Sequence, residues 1–309
     1  MSSSEWRWSV WDSHDRDWEQ ELRRHHSRLL QGQGLSETQT IGGDNEKPRV
    51  PHIIHHIWLG PRPIPAVCLA WMESWKKMHP SWEHRLWRDT DVSELTLRNQ
   101  AAFDAAANFG EKSDIARYEI LERFGGVYVD VDVECLCAFD ALVARFDFIV
   151  GVSNTSCVEI NNAVIASAPQ HPILQRLITK ISSDISRRQE RAQALAMVGE
   201  WGGADIAAVL SRTTSESAMT TIERTGPGLL TRTFMDAIGW SSATDGSRRP
   251  GFLSALESDA VVALPIEYLY PVPNSARETP ARRDALPQQS MAVHYWLRSW
   301  VDGETVPQC

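Results

Sequence analysis

The chain has 309 residues, 42% hydrophobic and 23% charged, the make-up of an ordinary globular protein with one large domain or two small ones. With 40 acidic against 31 basic residues its formal charge is −9, which leaves no basic footprint for nucleic acid. The first 30 residues are charged throughout and lack the apolar core of a signal peptide, and no stretch has the length of a membrane span.

Residues 1–47 carry Trp6, Trp8, Trp11 and Trp18 among charged residues, then a polar run. They read as a tryptophan-rich extension with a helix over about 12–30, followed by a linker. Docking of that helix onto the main domain, residues 48–302, is the preferred reading, with an acceptor-binding or oligomerising extension as the alternative. Ile53, Ile54, Ile57 and Trp58 make a short buried first strand, and Gly60-Pro61 turns the chain at its end. Open α/β sheets place their ligand crevice at such strand ends. His52, His55 and His56 are neighbours on one strand and cannot all face one ion, so they read as structural. Cys68 to Met78 has the pattern of an amphipathic helix and Glu83 to Trp87 that of a second strand, together a βαβ unit. Asp89 and Asp91 precede a helix-like run, residues 92–103, and read as capping acids.

The segment from Glu111 to Leu136 organises the rest. Ile115, Tyr118, Ile120 and Leu121 recur at helical spacing, and Gly125-Gly126 supplies the stop. Asp114 and Arg117 then share a face, either as site residues or as a surface i,i+3 ion pair. Val127 to Val133 alternates as a strand, so Asp130 and Asp132 project to one side. Two carboxylates so placed repel unless a cation or proton is shared, and Mg²⁺ or Mn²⁺ on oxygen ligands resolves the repulsion. A solvated acidic strand face is the alternative. Cys135 and Cys137 beyond the pair read as small buried hydrophobes, and the five cysteines, lacking zinc-finger spacing, as reduced thiols.

A short helix and the strand FDFIVGV follow, then Asn161-Asn162 before an apolar run. Residues 173–250 read as a helical insertion, with Thr225-Gly226-Pro227-Gly228 either a helix N-terminus or an ordinary turn. Val261 to Tyr270 reads as one strand, His294 follows the apolar Met291-Ala292-Val293, and 303–309 reads as a flexible tail.

The run SDIARYEILERFGGVYVDVDVECL, Ser113 to Leu136, resembles the signature of glycosyltransferase family 32, a group of sugar transferases with the clostridial glucosylating toxins as distant relatives. Further segments resemble it in order: PHIIHHIWLG, the Ser74-Trp75 and His79-Pro80-Ser81-Trp82 stretch, Thr225-Gly226-Pro227, and His294-Tyr295-Trp296-Leu297-Arg298-Ser299-Trp300. The resemblance implies an α/β fold, a GT-A type Rossmann-like mixed sheet flanked by helices. It implies a retaining enzyme that moves a hexose from a UDP- or GDP-sugar to a glycan, lipid, small-molecule or protein acceptor. It assigns Asp132, Asp130 and His294 to Mn²⁺ or Mg²⁺, Trp58 to the nucleotide base, and Asp114, Arg117 and Asn162 to the sugar. Ser299 and Trp300 would meet the diphosphate or the scissile oxygen. Fungal members carry a Golgi membrane anchor, so the charged N-terminus here is a departure that favours a cytoplasmic enzyme. A metal-dependent nucleotide-sugar phosphohydrolase and a non-catalytic sugar-nucleotide-binding or interaction module are the rival readings.

Overall fold

The computed structural model describes residues 20–27, 49–153, 155, 159–184, 218–239, 251–254, 260–276 and 283–297. Strand β1 (Ile53–Ile57) is followed by helix α1 (Ala66–Met78) and by β2 (Glu83–Trp87), which lies parallel to β1. Helix α2 (Phe109–Phe124) then returns the chain to β3 (Gly126–Val129), parallel to β1 on its other side. β5 (Phe148–Val152), β6 (Ile160–Ser167) and β7 (Val261–Leu264) complete a six-stranded sheet of order β2-β1-β3-β6-β5-β7. β6 runs antiparallel to both its neighbours, and the other pairings are parallel. The result is the expected mixed sheet flanked by helices.

Period-two alternation divides the core between the two faces. Ile54, Val127, Val129 and Val164 pack on one face with Trp75 of α1, Phe139, Tyr270 and Trp296. Ile57, Tyr128, Ile165 and Val150 pack on the other with Ile115 and Leu121 of α2. Helices α3 (172–184), α4 (Ala218–Arg224) and α5 (Pro227–Ala237) lie beyond, and α3 and α5 supply Leu174, Leu177, Leu230 and Phe234 to that second cluster. Each such fully buried side chain contributes roughly 1.5–3 kcal/mol by leaving water. The helix at 20–27 buries Leu22 in the same cluster, and His25 Nε2 meets Val261 O at 2.9 Å, so it docks on the sheet's β7 edge. The tryptophans of residues 1–19, the remainder of the linker, the parts of the expected insertion at 185–217 and 240–250, and Ser299, Trp300 and the tail at 303–309 lie outside the described residues.

Three expectations change. The strand read through Val133 ends at Val129; β4 (Val133–Cys135) leaves the main sheet and pairs antiparallel with β8 (Ala292–His294). Asp130 and Asp132 therefore sit in the turn between two sheets. The strand read to Tyr270 ends at Leu264, because Pro265 has no N–H for the ladder and starts a short helix, Ile266–Leu269. The helix read over 92–103 is broken at Thr96 (φ 51), since the Arg98 and Asn99 amides are drawn onto the Glu119 carboxylate of α2 at 2.7 Å each.

Candidate active site

The site forms where β3 ends and β6 begins. Helix α2 is started by Asn108, whose side chain accepts from Glu111 N at 2.9 Å. The helix stops at Gly125 (φ 64), where a Cβ would lie 2.7 Å from both Pro51 and Pro169. That placement turns Asp114 and Arg117 towards the sheet. They are 6% and 4% exposed, which rules out the surface ion pair. Arg117 Nη2 lies 3.1 Å from Asp114 Oδ1, and Nη1 lies 3.3 Å from Asp130 Oδ1 and donates to Asn162 O at 2.7 Å. Its Nε donates to Ser113 O at 3.3 Å, and its guanidinium stacks over the Tyr128 ring at 4.4 Å. Nearly all of its donor capacity is spent on the chain itself. It ties Asp114 to Asp130.

Asn162 donates from Nδ2 to Asp114 Oδ1 at 2.8 Å, and Thr225 Oγ1 donates to Asp114 Oδ2 at 3.0 Å. Gly226 is the N-cap of α5, with Pro227 in its first turn, as the TGP segment allowed. A side chain at 226 would lie 3.2 Å from Asp114 Oδ2. Burial pushes the Asp114 carboxyl up to about 6, against the pull of Arg117 and of the Thr225 and Asn162 hydrogen bonds.

Asp130 leaves β3 with its amide on Ala163 O at 2.8 Å and receives the Tyr128 hydroxyl on Oδ1 at 2.5 Å. Its side chain keeps 28% exposure, so solvent reaches it. Burial raises its carboxyl, with Arg117 opposing and Asp132 adding. Asp132 accepts the Leu297 amide on Oδ2 at 2.8 Å, with His294 Nε2 3.3 Å from the same oxygen. Desolvation pushes its carboxyl up, but the His294 charge and these hydrogen bonds win and hold it low; Asp132 in turn raises His294 against burial.

The ligand atoms of Asp130, Asp132 and His294 all lie within 4.8 Å of one another. His294 Nδ1 is buried without a hydrogen-bond partner among the described residues. Two carboxylates of opposite protonation tendency and one imidazole make a donor set that fits Mn²⁺, and Mg²⁺ with less use of the nitrogen. The turn at 130–132 and β8 are 162 positions apart in sequence, and the β4–β8 pairing, Val133 opposite His294, brings them together.

The other expected residues fall as follows. Trp58 stands at the end of β1 but is only 9% exposed, with its indole N–H on Arg62 O at 2.7 Å and its ring clustered with Cys68, Met72 and Val131. Asp91 accepts the Arg88 amide at 2.7 Å, as a cap does, and Asp89 accepts the amide of Gly60 (φ 85) at 2.9 Å, fixing the loop after β1. His55 and His56 bond Gly125 O and Val129 O, and His52 stacks on Trp82. Tyr128 and the Leu297 amide join the site without having been singled out, and Thr225, read only within a helix N-terminus or turn, joins it through its hydroxyl. Tyr128 was legible, since it shares the alternating face of Asp130; a backbone amide leaves no trace in sequence.

Residues 65–149 match the family model described as "Glycosyltransferase sugar-binding region containing DXD motif", and that stretch holds Asp114, Arg117, Asp130 and Asp132. That match agrees with the resemblance to family 32 over the stretch it covers. The chain is 30% identical over 155 residues to inositol phosphoceramide mannosyltransferase 1 of Schizosaccharomyces pombe, covering 48% of this chain and 47% of that one. It is 23% identical to the initiation-specific alpha-1,6-mannosyltransferase of Candida albicans, over 84% of this chain and 74% of the relative. Among solved structures, the catalytic domain of alpha-toxin from Clostridium novyi aligns with a TM-score of 0.46 at 11% identity, over 81% of this chain and 85% of that one. The chain thus spans about half the length of the first of these relatives.

Proposed function

We propose that the protein is a metal-dependent, retaining glycosyltransferase that moves a hexose from a UDP- or GDP-linked donor to an acceptor hydroxyl. The observation that carries this reading is that the Asp130–Asp132–His294 cluster lies one ion pair away from the Arg117–Asp114 pair. A bound Mn²⁺ or Mg²⁺ supplies Lewis-acid stabilisation of the diphosphate leaving group. Asp130, Asp132 and His294 would hold it. Asp114, held by Asn162 and Thr225, accepts a sugar hydroxyl and orients the ring, and Arg117 keeps the two carboxylates in fixed relation. The acceptor attacks on the face the diphosphate leaves and the departing phosphate takes its proton, so no separate base is assigned. Trp58 serves the nucleotide base, and Ser299 and Trp300 the diphosphate, as the family resemblance implies.

The relatives named mannosyltransferases make mannose the first hexose to test, and the lipid in the fission-yeast relative's name the first acceptor class. A cytoplasmic location belongs to the same proposal, to be checked by fractionating cells that express the full chain.

The deciding experiment is calorimetric titration of UDP and GDP, with and without Mn²⁺, on wild type and Asp132→Ala. Mn²⁺-dependent binding of one nucleotide, lost in the variant, is expected. Binding of neither sinks the proposal, and release of free sugar at one rate with every acceptor replaces it with the phosphohydrolase.

A further inference from the structure

Three residues other than glycine have a left-handed backbone among the described residues, and one of them, Trp296 (φ 57), touches the metal cluster. A large side chain rarely adopts this conformation, because its Cβ crowds the following carbonyl. Such a residue persists only where its surroundings hold it, and they cluster at functional sites. Trp296 is 7% exposed, its indole N–H donates to Val272 O at 2.9 Å, and its ring lies 4.2 Å from the His294 ring and 6.0 Å from that of Tyr270.

The consequence of the turn falls on Asp132. β8 pairs His294 with Val133, and the next amide, Tyr295 N, continues the ladder onto the main-chain oxygen of Asp132 at 3.0 Å. An extended residue at 296 would carry the chain on along the ladder. The left-handed turn instead brings the Leu297 amide back to the Asp132 side chain, on Oδ2 at 2.8 Å. Asp132 is thereby gripped at main chain and carboxylate by one strap, residues 294–297.

We infer that Trp296 is a positioning residue of the metal site and acts through its left-handed backbone, which delivers the Leu297 amide to the carboxylate of Asp132. The inference rests on the metal reading proposed above. The indole is the anchor that holds the turn in place, and glycine, which adopts this backbone freely, needs no anchor.

Mn²⁺ binding, followed by the electron paramagnetic resonance of the free ion, separates backbone from ring. Trp296→Gly and Trp296→Asn, both tolerant of the left-handed region, are expected to keep Mn²⁺ affinity within about threefold of wild type. Trp296→Val and Trp296→Ala should weaken it at least about tenfold, as loss of an outer-shell partner does. Hydrogen exchange at the Leu297 amide should accelerate in the second pair alone. Circular dichroism establishes folding, and if the valine protein unfolds, the Asn/Ala comparison carries the test. Equal weakening in all folded variants would assign the effect to ring packing on His294 and overturn the inference, as would no weakening in any. Failure of the wild type to bind Mn²⁺ overturns the metal reading as well, and is distinguished by occurring before any substitution.

Discussion

Asp114 accepts from Asn162 Nδ2 and Thr225 Oγ1 and pairs with Arg117, yet burial still pushes its carboxyl up to about 6. Each donor supports the charged form, so removing one shifts the balance further towards the neutral acid. Thr225→Val, close in shape but without the hydroxyl, should raise the Asp114 titration beyond 6 and weaken donor-sugar binding about tenfold at neutral pH. Thr225→Ser should restore both. Carboxyl NMR titration and calorimetry read the two effects, and unchanged affinity in the valine protein would detach Asp114 from the sugar. At Asp132 the expectation is categorical: Asp132→Ala retains under about a tenth of wild-type turnover, because one ligand of a small donor set is lost. Initial rates at saturating Mn²⁺ check it.

The junction of α2 with β3 shows how an element holds the site. Gly126 has φ 100, and a Cβ there would lie 2.6 Å from Ile53 O and 2.9 Å from His55 Nε2. Gly126→Ala should therefore cost about 1–3 kcal/mol, read by urea denaturation, from forcing a side chain into glycine-only backbone. β1 adds a pH dependence. His55 donates from Nε2 to Gly125 O at 2.9 Å and accepts the Trp87 indole N–H on Nδ1 at 3.1 Å, which assigns one neutral tautomer. Protonation would set N–H against N–H. Burial lowers both His55 and His56 to about 4. Between that value and the unfolded 6.5 the unfolded chain binds protons that the folded chain does not, so stability is full above about 6.5 and lost as pH falls towards 4. The loss is on the order of 3 kcal/mol per histidine. Imidazole NMR titration of the folded protein tests it free of the opposing linkage of the raised Asp114 carboxyl; titration near 6.5 would mean that these imidazoles are solvated.

For the whole molecule, a cation bound between the 130–132 turn and β8 would join segments 162 positions apart. It should stabilise the fold by linkage, by about 2.7 kcal/mol at a hundredfold excess over Kd. Thermal melts should therefore rise with Mn²⁺, fall back with EDTA, and show no rise in Asp132→Ala. The local elements were legible in the sequence because their causes are local: helical spacing and a glycine stop for α2, alternation for β3, a proline turn after β1. Asp130 and Asp132 were legible as a pair for the same reason, since two acids at i and i+2 repel wherever the chain goes. Other features depended on partners distant in sequence. That Asp114–Arg117 is a buried clamp, and not a surface pair, was set by the sheet packed beneath α2. That β3 stops at Val129 was set by β8, which draws Val133 to Cys135 into a second sheet. The grip of the Leu297 amide and of Thr225 on the two key carboxylates likewise follows from long-range packing. The sequence by itself determined which residue types could hold a cation, because charge and periodicity are properties of the local chain. Only the tertiary structure decided which of them meet, because burial and hydrogen-bond partners are supplied by elements 45 to 165 positions away.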